Sequence, residues 1–220
     1  MASDFRPAGV FVPMVTPFGA DGSVDLACLE ELTAGVIADG ASGVVALATT
    51  GEPHMLDEAE RLEAEALLEL AATENVAGVK QAVGGIDADT LAVLAESAGR
   101  FAMLGGDDAF LFPLVLMGAT GAIAASSHLC TRRFVEMIEC GRSGAVVEGR
   151  AHAEALLPLV RALFAEPSPA VIKAALHLEG RIPTPDVRMP MSPASPEAVE
   201  RVRAALAGAS SDEFRGTARS

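Results

Sequence analysis

Tryptophan and tyrosine are both absent from this 220-residue chain and aromatic residues make up only 4% of it, so its core is built on Ala, Val and Leu. Cysteine is scarce and odd in number. Cys28, Cys130 and Cys140 show no CxxC spacing, which excludes a disulfide framework and a zinc ribbon and reads as free thiols in a reducing compartment. Basic residues are few, 16 against 30 acidic ones. The resulting net charge of −14 excludes a nucleic-acid groove or an anionic membrane surface as the main partner, so an anionic substrate would have to be held locally. No apolar run approaches the roughly 18 residues of a membrane span, and the opening MASDFRPAG has neither the basic flank nor the apolar stretch of a signal peptide. The expected location is cytoplasmic. The glycine pairs form neither GxGxxG nor a P-loop, and His54, His128, His152 and His177 are scattered without HxH or HxxxH spacing. The chain is therefore expected to need neither metal nor cofactor.

Half of the residues are hydrophobic, arranged as alternating strand-like and helix-like segments, the order of a parallel sheet with crossover helices. Strands are expected at Gly9–Thr16, Gly43–Ala48, Val76–Lys80, Arg100–Leu104 and Gly121–Ala125. Helices are expected at Val24–Asp39, from Asp57 through Leu70, at Asp87–Ala98 and at Asp107–Met117. Beyond Thr131 the pattern is almost wholly helical: Thr131–Cys140, Ala145–Phe164 with a kink expected at Pro158, Pro169–Glu179 and Pro196–Ala207. Five of the 13 prolines fall within Arg181–Pro196, which reads as an extended connector. The expected division is residues 1–130 as the β/α part, 131–207 as a helical extension and 208–220 as a disordered tail.

Reacting groups in parallel α/β folds come from the carboxyl ends of strands, and Lys80 stands at such an end. It is one of two lysines in the chain. A desolvated lysine is partly neutral, and a neutral amine can attack a ketone to form a Schiff base without a metal. The bland alternative is a lysine that snorkels from a strand end into water. Lys173, within PAVIKAAL, is expected on a solvated helix face. Thr49, Thr50 and Gly51 follow the second strand on the same rim. Two hydroxyls and a freed backbone N–H can hold a small carboxylate there, or they form an ordinary turn. In Gly105-Gly106-Asp107-Asp108 an aspartate is expected to cap the next helix. Ser126-Ser127-His128 follows the last strand, where Ser126 could touch substrate and His128, more often a surface or packing residue in such a loop, could carry a proton near neutrality.

The segments GVFVPMVTPF, DGSVD, ATTGEP, VAGVK, GGDD, GATGAIAASSH, EPSPAVIKAAL and RIPTPDVRMPMSP occur in this order, and together they resemble the dihydrodipicolinate synthase and N-acetylneuraminate lyase family. The resemblance implies a (β/α)8 barrel with a C-terminal helical extension, a homo-oligomer, and lyase or aldolase chemistry on pyruvate or another small 2-oxo acid. It also implies roles for particular residues. Lys80 would be the Schiff-base lysine, Thr49 and Thr50 would face the substrate carboxylate, and Gly51 and Ser126 would line the same pocket. Family members are considerably longer, and the shortfall falls between Ala71 and Val76, where about three βα units are missing. That segment carries the family's proton-relaying tyrosine, and this chain contains no tyrosine. The resemblance therefore leaves a second expectation beside the first: an impaired or non-catalytic relic serving as an oligomeric binding protein.

Overall fold

The computed structural model describes residues 7–13, 15, 17, 25–45, 78–97 and 101–209. The expected helix from Asp57 and the loop bearing Thr49, Thr50 and Gly51 lie outside the described residues. Five strands form one sheet: β1 (Gly9–Pro13), β2 (Gly43–Val45), β3 (Gly78–Gln81), β4 (Ala102–Gly105) and β5 (Gly121–Ile123). Every pairing is parallel and the order is β2-β1-β5-β4-β3. The last strand of the sheet thus returns to pair with the first, which is how a barrel closes. Strands β2 and β3, consecutive among the described strands, stand at the two ends of this arc.

Helices connect and cover the strands. Asp25 starts α1 (Leu26–Ala38) by accepting the Cys28 N–H at 2.9 Å, and Gly40, at φ +99°, lets the chain leave it. Asp87 does the same for α2 (Ala88–Ser97), taking the Thr90 N–H at 2.8 Å. After β4 the single helix expected over Asp107–Met117 is divided into a 3₁₀ turn, Asp108–Phe110, and α3 (Leu111–Leu116). Another 3₁₀ turn, Ala125–His128, follows β5 and leads into α4 (Thr131–Ser143). The remaining helices among the described residues are α5 (Val146–Leu163), α6 (Ala170–Leu178) and α7 (Pro196–Ala209). Pro158 sits inside α5 without ending it, and α7 includes Gly208 and Ala209, which were expected in the tail.

Alternation along the strands sorts the residues onto two faces. Val10, Val12, Met103 and Ala122 point outward and pack with Leu111, Leu114, Phe134, Met137, Ile138 and Leu156 of the helix layer. Lys80 and Leu104, paired across β3 and β4, occupy the opposite, inner face. A second apolar cluster joins Leu159 and Leu163 of α5, Val171, Ile172 and Leu176 of α6, and Val202 and Leu206 of α7. Each fully buried aliphatic side chain there contributes about 1.5–3 kcal/mol. Lys173 lies within this extension at 2% exposure, so it does not sit on a solvated face. The run Ala170–Leu176 is buried on all sides, between α5, α7 and the turn after β5, and the amphipathic pattern assumed for it does not apply. Burial pushes the Lys173 amine down to about 8, with Asp186 opposing that shift.

Candidate active site

Lys80 is the penultimate residue of β3, one short of its carboxyl end, is exposed on the inner face, and lies against the turn that follows β4. A β-carbon placed on Gly106 would come within 2.5 Å of Lys80 Cε and 3.0 Å of its Cγ, so the glycine forms the seat of the lysine stem. The Gly106 N–H donates to the Gln81 carbonyl at 2.6 Å and fixes that seat to the strand. Gln81 is itself buried, its amide donating to Gly85 O at 2.7 Å and Thr90 Oγ1 at 3.1 Å. The base of the lysine is thereby held from both sides.

The two aspartates after Gly106 do not cap their own helix. Asp107 accepts the Gly84 N–H at 2.7 Å and joins the β4 turn to the β3 turn. Asp108 accepts the Ser126 N–H at 2.6 Å and joins the β4 turn to the β5 turn. Both partners lie too far along the chain for a capping rule to detect. Asp108 is buried and its carboxyl is pushed up to about 6. Burial is the dominant cause, opposed by hydrogen bonding from Ser126 and by the positive charge of Lys80, while Asp107 adds to the rise.

Ser126 is placed at the end of β5, as the sequence implies, but its side chain is fully buried against the rim. The Ser127 hydroxyl donates to Ala124 O at 2.6 Å, and Thr131 donates to Ser127 O at 2.7 Å, which holds the 3₁₀ turn in shape. His128 does not match the expected proton carrier. It is fully buried, and burial pushes its imidazole down to about 4, with the Pro13 carbonyl opposing the shift and the Arg181 charge adding to it. Its Nε2 lies 3.0 Å from Pro13 O and 3.3 Å from Val15 N. One ring nitrogen cannot donate and accept at once, and the shorter contact assigns the proton to the bond with Pro13. Arg181 donates to the His128 carbonyl, tying the extension to the rim. The neutral ring links the turn after β5 to β1.

The signal for Gly106 and Asp108 was present in the sequence as a glycine pair followed by an aspartate pair directly after a strand. Only the folded rim shows which partners they meet. Among the described residues no group of three or more His, Cys, Asp and Glu side chains is placed to hold a metal. No described helix is long and apolar enough to cross a membrane.

A parallel β/α arc with a lysine beside the carboxyl end of a strand defines an α/β barrel-type protein with a candidate reactive amine on its rim. Comparison with known proteins narrows this. The model of the dihydrodipicolinate synthetase family matches residues 6–64 and 59–209, and the chain belongs to that family. The family is matched in two segments that overlap at residues 59–64, which fits an internal shortfall but puts the break ahead of the expected junction between Ala71 and Val76. The chain is 34% identical over 145 residues to 4-hydroxy-tetrahydrodipicolinate synthase 1 of Halalkalibacterium halodurans, covering 66% of this chain and 48% of that protein. It is 33% identical over 149 residues to 4-hydroxy-tetrahydrodipicolinate synthase of Listeria monocytogenes, covering 68% of this chain and 50% of the relative. The chain thus spans about half the length of the curated relatives it matches. Among solved structures, dihydrodipicolinate synthase from Thermotoga maritima superposes with a TM-score of 0.80 at 23% identity, covering 92% of this chain and 98% of that one. The chloride-inhibited dihydrodipicolinate synthase from Acinetobacter baumannii, complexed with pyruvate, gives a TM-score of 0.83 at 22% identity, with the same coverage of 92% and 98%. At that identity the likeness establishes the (β/α)8-barrel family fold.

Proposed function

We propose that this chain is a Schiff-base lyase or aldolase acting on pyruvate or another small 2-oxo acid, with Lys80 as its nucleophile. The observation that carries the reading is the setting of Lys80: exposed at a strand's carboxyl end, seated on Gly106, in a chain of the dihydrodipicolinate synthetase family. The neutral amine attacks the C2 carbonyl carbon, the carbinolamine takes up a proton from solvent and loses water, and an iminium forms. Loss of a C3 proton then gives the enamine that bonds to an electrophile, and the reverse sequence cleaves a carbon–carbon bond. Thr49, Thr50 and the Gly51 N–H hold the substrate carboxylate. Ser126 borders the pocket from the β5 end. Residues 1–130 supply the barrel part, residues 131–207 brace it, and copies of the chain assemble into a homo-oligomer.

A second reading is favoured by one observation, the absence of tyrosine. In that reading the protein keeps the family's shell as a binding protein and has lost its proton relay. Incubation with pyruvate and borohydride, followed by peptide mapping, separates the two. The enzyme reading expects an adduct on Lys80 and none on Lys173, and unmodified protein after prolonged exposure would overturn it.

A further inference from the structure

We infer that the open arc of strands is closed by a second copy of this chain, β3 of each copy pairing in parallel with β2 of the other, so that the Lys80 site is completed at the junction of two subunits. The inference rests on the homo-oligomer proposed above and names its interface. Among the described residues β3 pairs only with β4, and β2 only with β1. Both are edge strands, and the candidate nucleophile stands on one of them.

Backbone directions show what each edge offers. Along a parallel ladder, the N–H and C=O of one residue face one neighbouring strand and those of the next residue face the other. The Gly106 N–H donates to the Gln81 carbonyl, so Gln81 and Val79 turn their peptide groups to β4, and those of Gly78 and Lys80 face the free edge. The Ser42 N–H donates to the Val10 carbonyl, so Ser42 and Val44 face β1, and Gly43 and Val45 face the free edge of β2. Exposure agrees with this. Every residue of β4 is buried, whereas Gly78 and Val79 are half-buried and Lys80 is exposed. The edges also lack the features that keep strands apart. Gly-Val-Val of β2 has no charge and no proline, and the one charge of β3, Lys80, is turned to the inner face. Apolar side chains flank both: Val83 directly after β3 and Ile37 on α1, the helix in contact with β2, are exposed.

Unpaired peptide groups of this kind are satisfied by a strand running the same way. Residues 46–77, which join β2 to β3, are about as long as one βαβ crossover, far short of three βα units. A second copy rotated by half a turn about the barrel axis brings its β2 beside β3 and its β3 beside β2, so a single operation satisfies both edges. Lys80 then has β4 of its own chain on one side and β2 of the second copy on the other, and the pocket gains a wall.

The test follows amide hydrogen exchange of the full chain residue by residue, beside sedimentation velocity, over a range of protein concentrations. The chain should be a dimer in which the Lys80 and Gly43 amides are protected. On dilution to the monomer these amides should exchange about tenfold or more faster, while those of β4 and β5 change far less. Val45→Pro removes an N–H that faces the free edge and leaves the β1–β2 pairing intact, so it should give monomers with the same fast exchange at every concentration. If that variant does not fold, dilution of the wild type makes the same comparison. A wild type that is monomeric throughout overturns the inference. So does a dimer in which the Lys80 and Gly43 amides are unprotected, since its copies meet elsewhere. Protection that persists in the dilute monomer also overturns it, because residues 46–77 then close the arc. Borohydride-trapped pyruvate adduct per chain should fall on dilution in step with dissociation, and equal adduct in monomer and dimer would overturn the shared site. If no adduct forms at any concentration while protection is lost on dilution, the proposed function fails and the closure between copies stands.

Discussion

Gly106 and Lys80 meet so closely that a single methyl group on the glycine would stand 2.5 Å from the lysine's Cε. The atom that must yield is the far part of a flexible side chain, while the Gln81 carbonyl at 3.0 Å needs to give only slightly. Gly106→Ala should therefore cost roughly 1 kcal/mol or less in stability. Lys80, however, must leave its seat. Adduct formation with pyruvate should slow by about tenfold or more, the usual consequence of a misplaced reacting group. Thermal melting and timed borohydride trapping of the same preparation check both halves. A fast-trapping variant would mean that the seat does not position the amine.

The two buried groups of the rim impose opposite pH dependences. Asp108 has an ordinary value of 3.8 and a folded value of about 6, so its contribution to stability is present below 3.8 and lost as the pH rises to about 6. His128 has an ordinary value of 6.5 and a folded value of about 4, so its contribution is present above 6.5 and lost as the pH falls to about 4. Each shift corresponds to about 3 kcal/mol, and the windows nearly coincide. Between pH 4 and 6.5 the wild type should show little net dependence from this pair. Denaturant melts of Asp108→Asn should reveal stability falling with acid, and those of His128→Asn stability rising. The same slope in both variants would refute the assignment.

Local pattern was enough for most of the architecture. Glycine starts, aspartate caps and apolar spacing mark β1, α1, α2 and the helices after Thr131 to within a few residues, because these signals act over one turn of chain. The rim was only half legible. Lys80 and the Gly106 turn are visible as a strand-end lysine and a glycine pair. The partners of Asp107 and Asp108 lie 23 and 18 residues away, and no local rule reaches that far. Lys173 was misread for a related reason. A lone lysine in the apolar run Ala170–Leu176 suggests a solvated face, and only the packing of α5, α6 and α7 against the turn after β5 removes it from water.

Lys173 offers a test of that packing. Its amine is held down to about 8 against an ordinary 10.5, so in the folded state it loses its proton earlier than in the unfolded chain. Folding stability should rise with pH across the interval from about 8 to 10.5. Lys173→Met, similar in length and uncharged, should abolish that rise. Chemical denaturation at a series of alkaline pH values is the measurement, and an unaltered slope in the variant would place its origin elsewhere.

For the carboxylate site, Thr50→Val removes one hydroxyl donor while preserving shape. Pyruvate affinity should fall by about 1–3 kcal/mol, the range for leaving a charged acceptor short of a donor in a partly buried site. Calorimetric titration measures it. Equal affinity in the two proteins would put the carboxylate in contact with other residues.

The final prediction separates binding from turnover. Imine formation requires a lysine amine and a cradle for the carboxylate, whereas condensation or cleavage also requires a group that moves protons at the reacting carbons. General acid/base assistance contributes about 10²- to 10⁴-fold in rate. The chain has no tyrosine for this task, and His128, with its ring buried and held down to about 4, is neutral and out of contact with solvent at physiological pH. The protein should therefore trap pyruvate readily and turn over slowly. His128→Asn should leave turnover unchanged when measured where its fold is intact. A chimera that restores the absent βα units from a full-length relative should gain turnover by about 10²-fold or more, with adduct formation altered far less. Steady-state rates set beside trapping rates in the three proteins decide the matter. If the parent already matches the chimera, proton transfer is supplied by another group of this chain, and the missing segment is not what limits its chemistry.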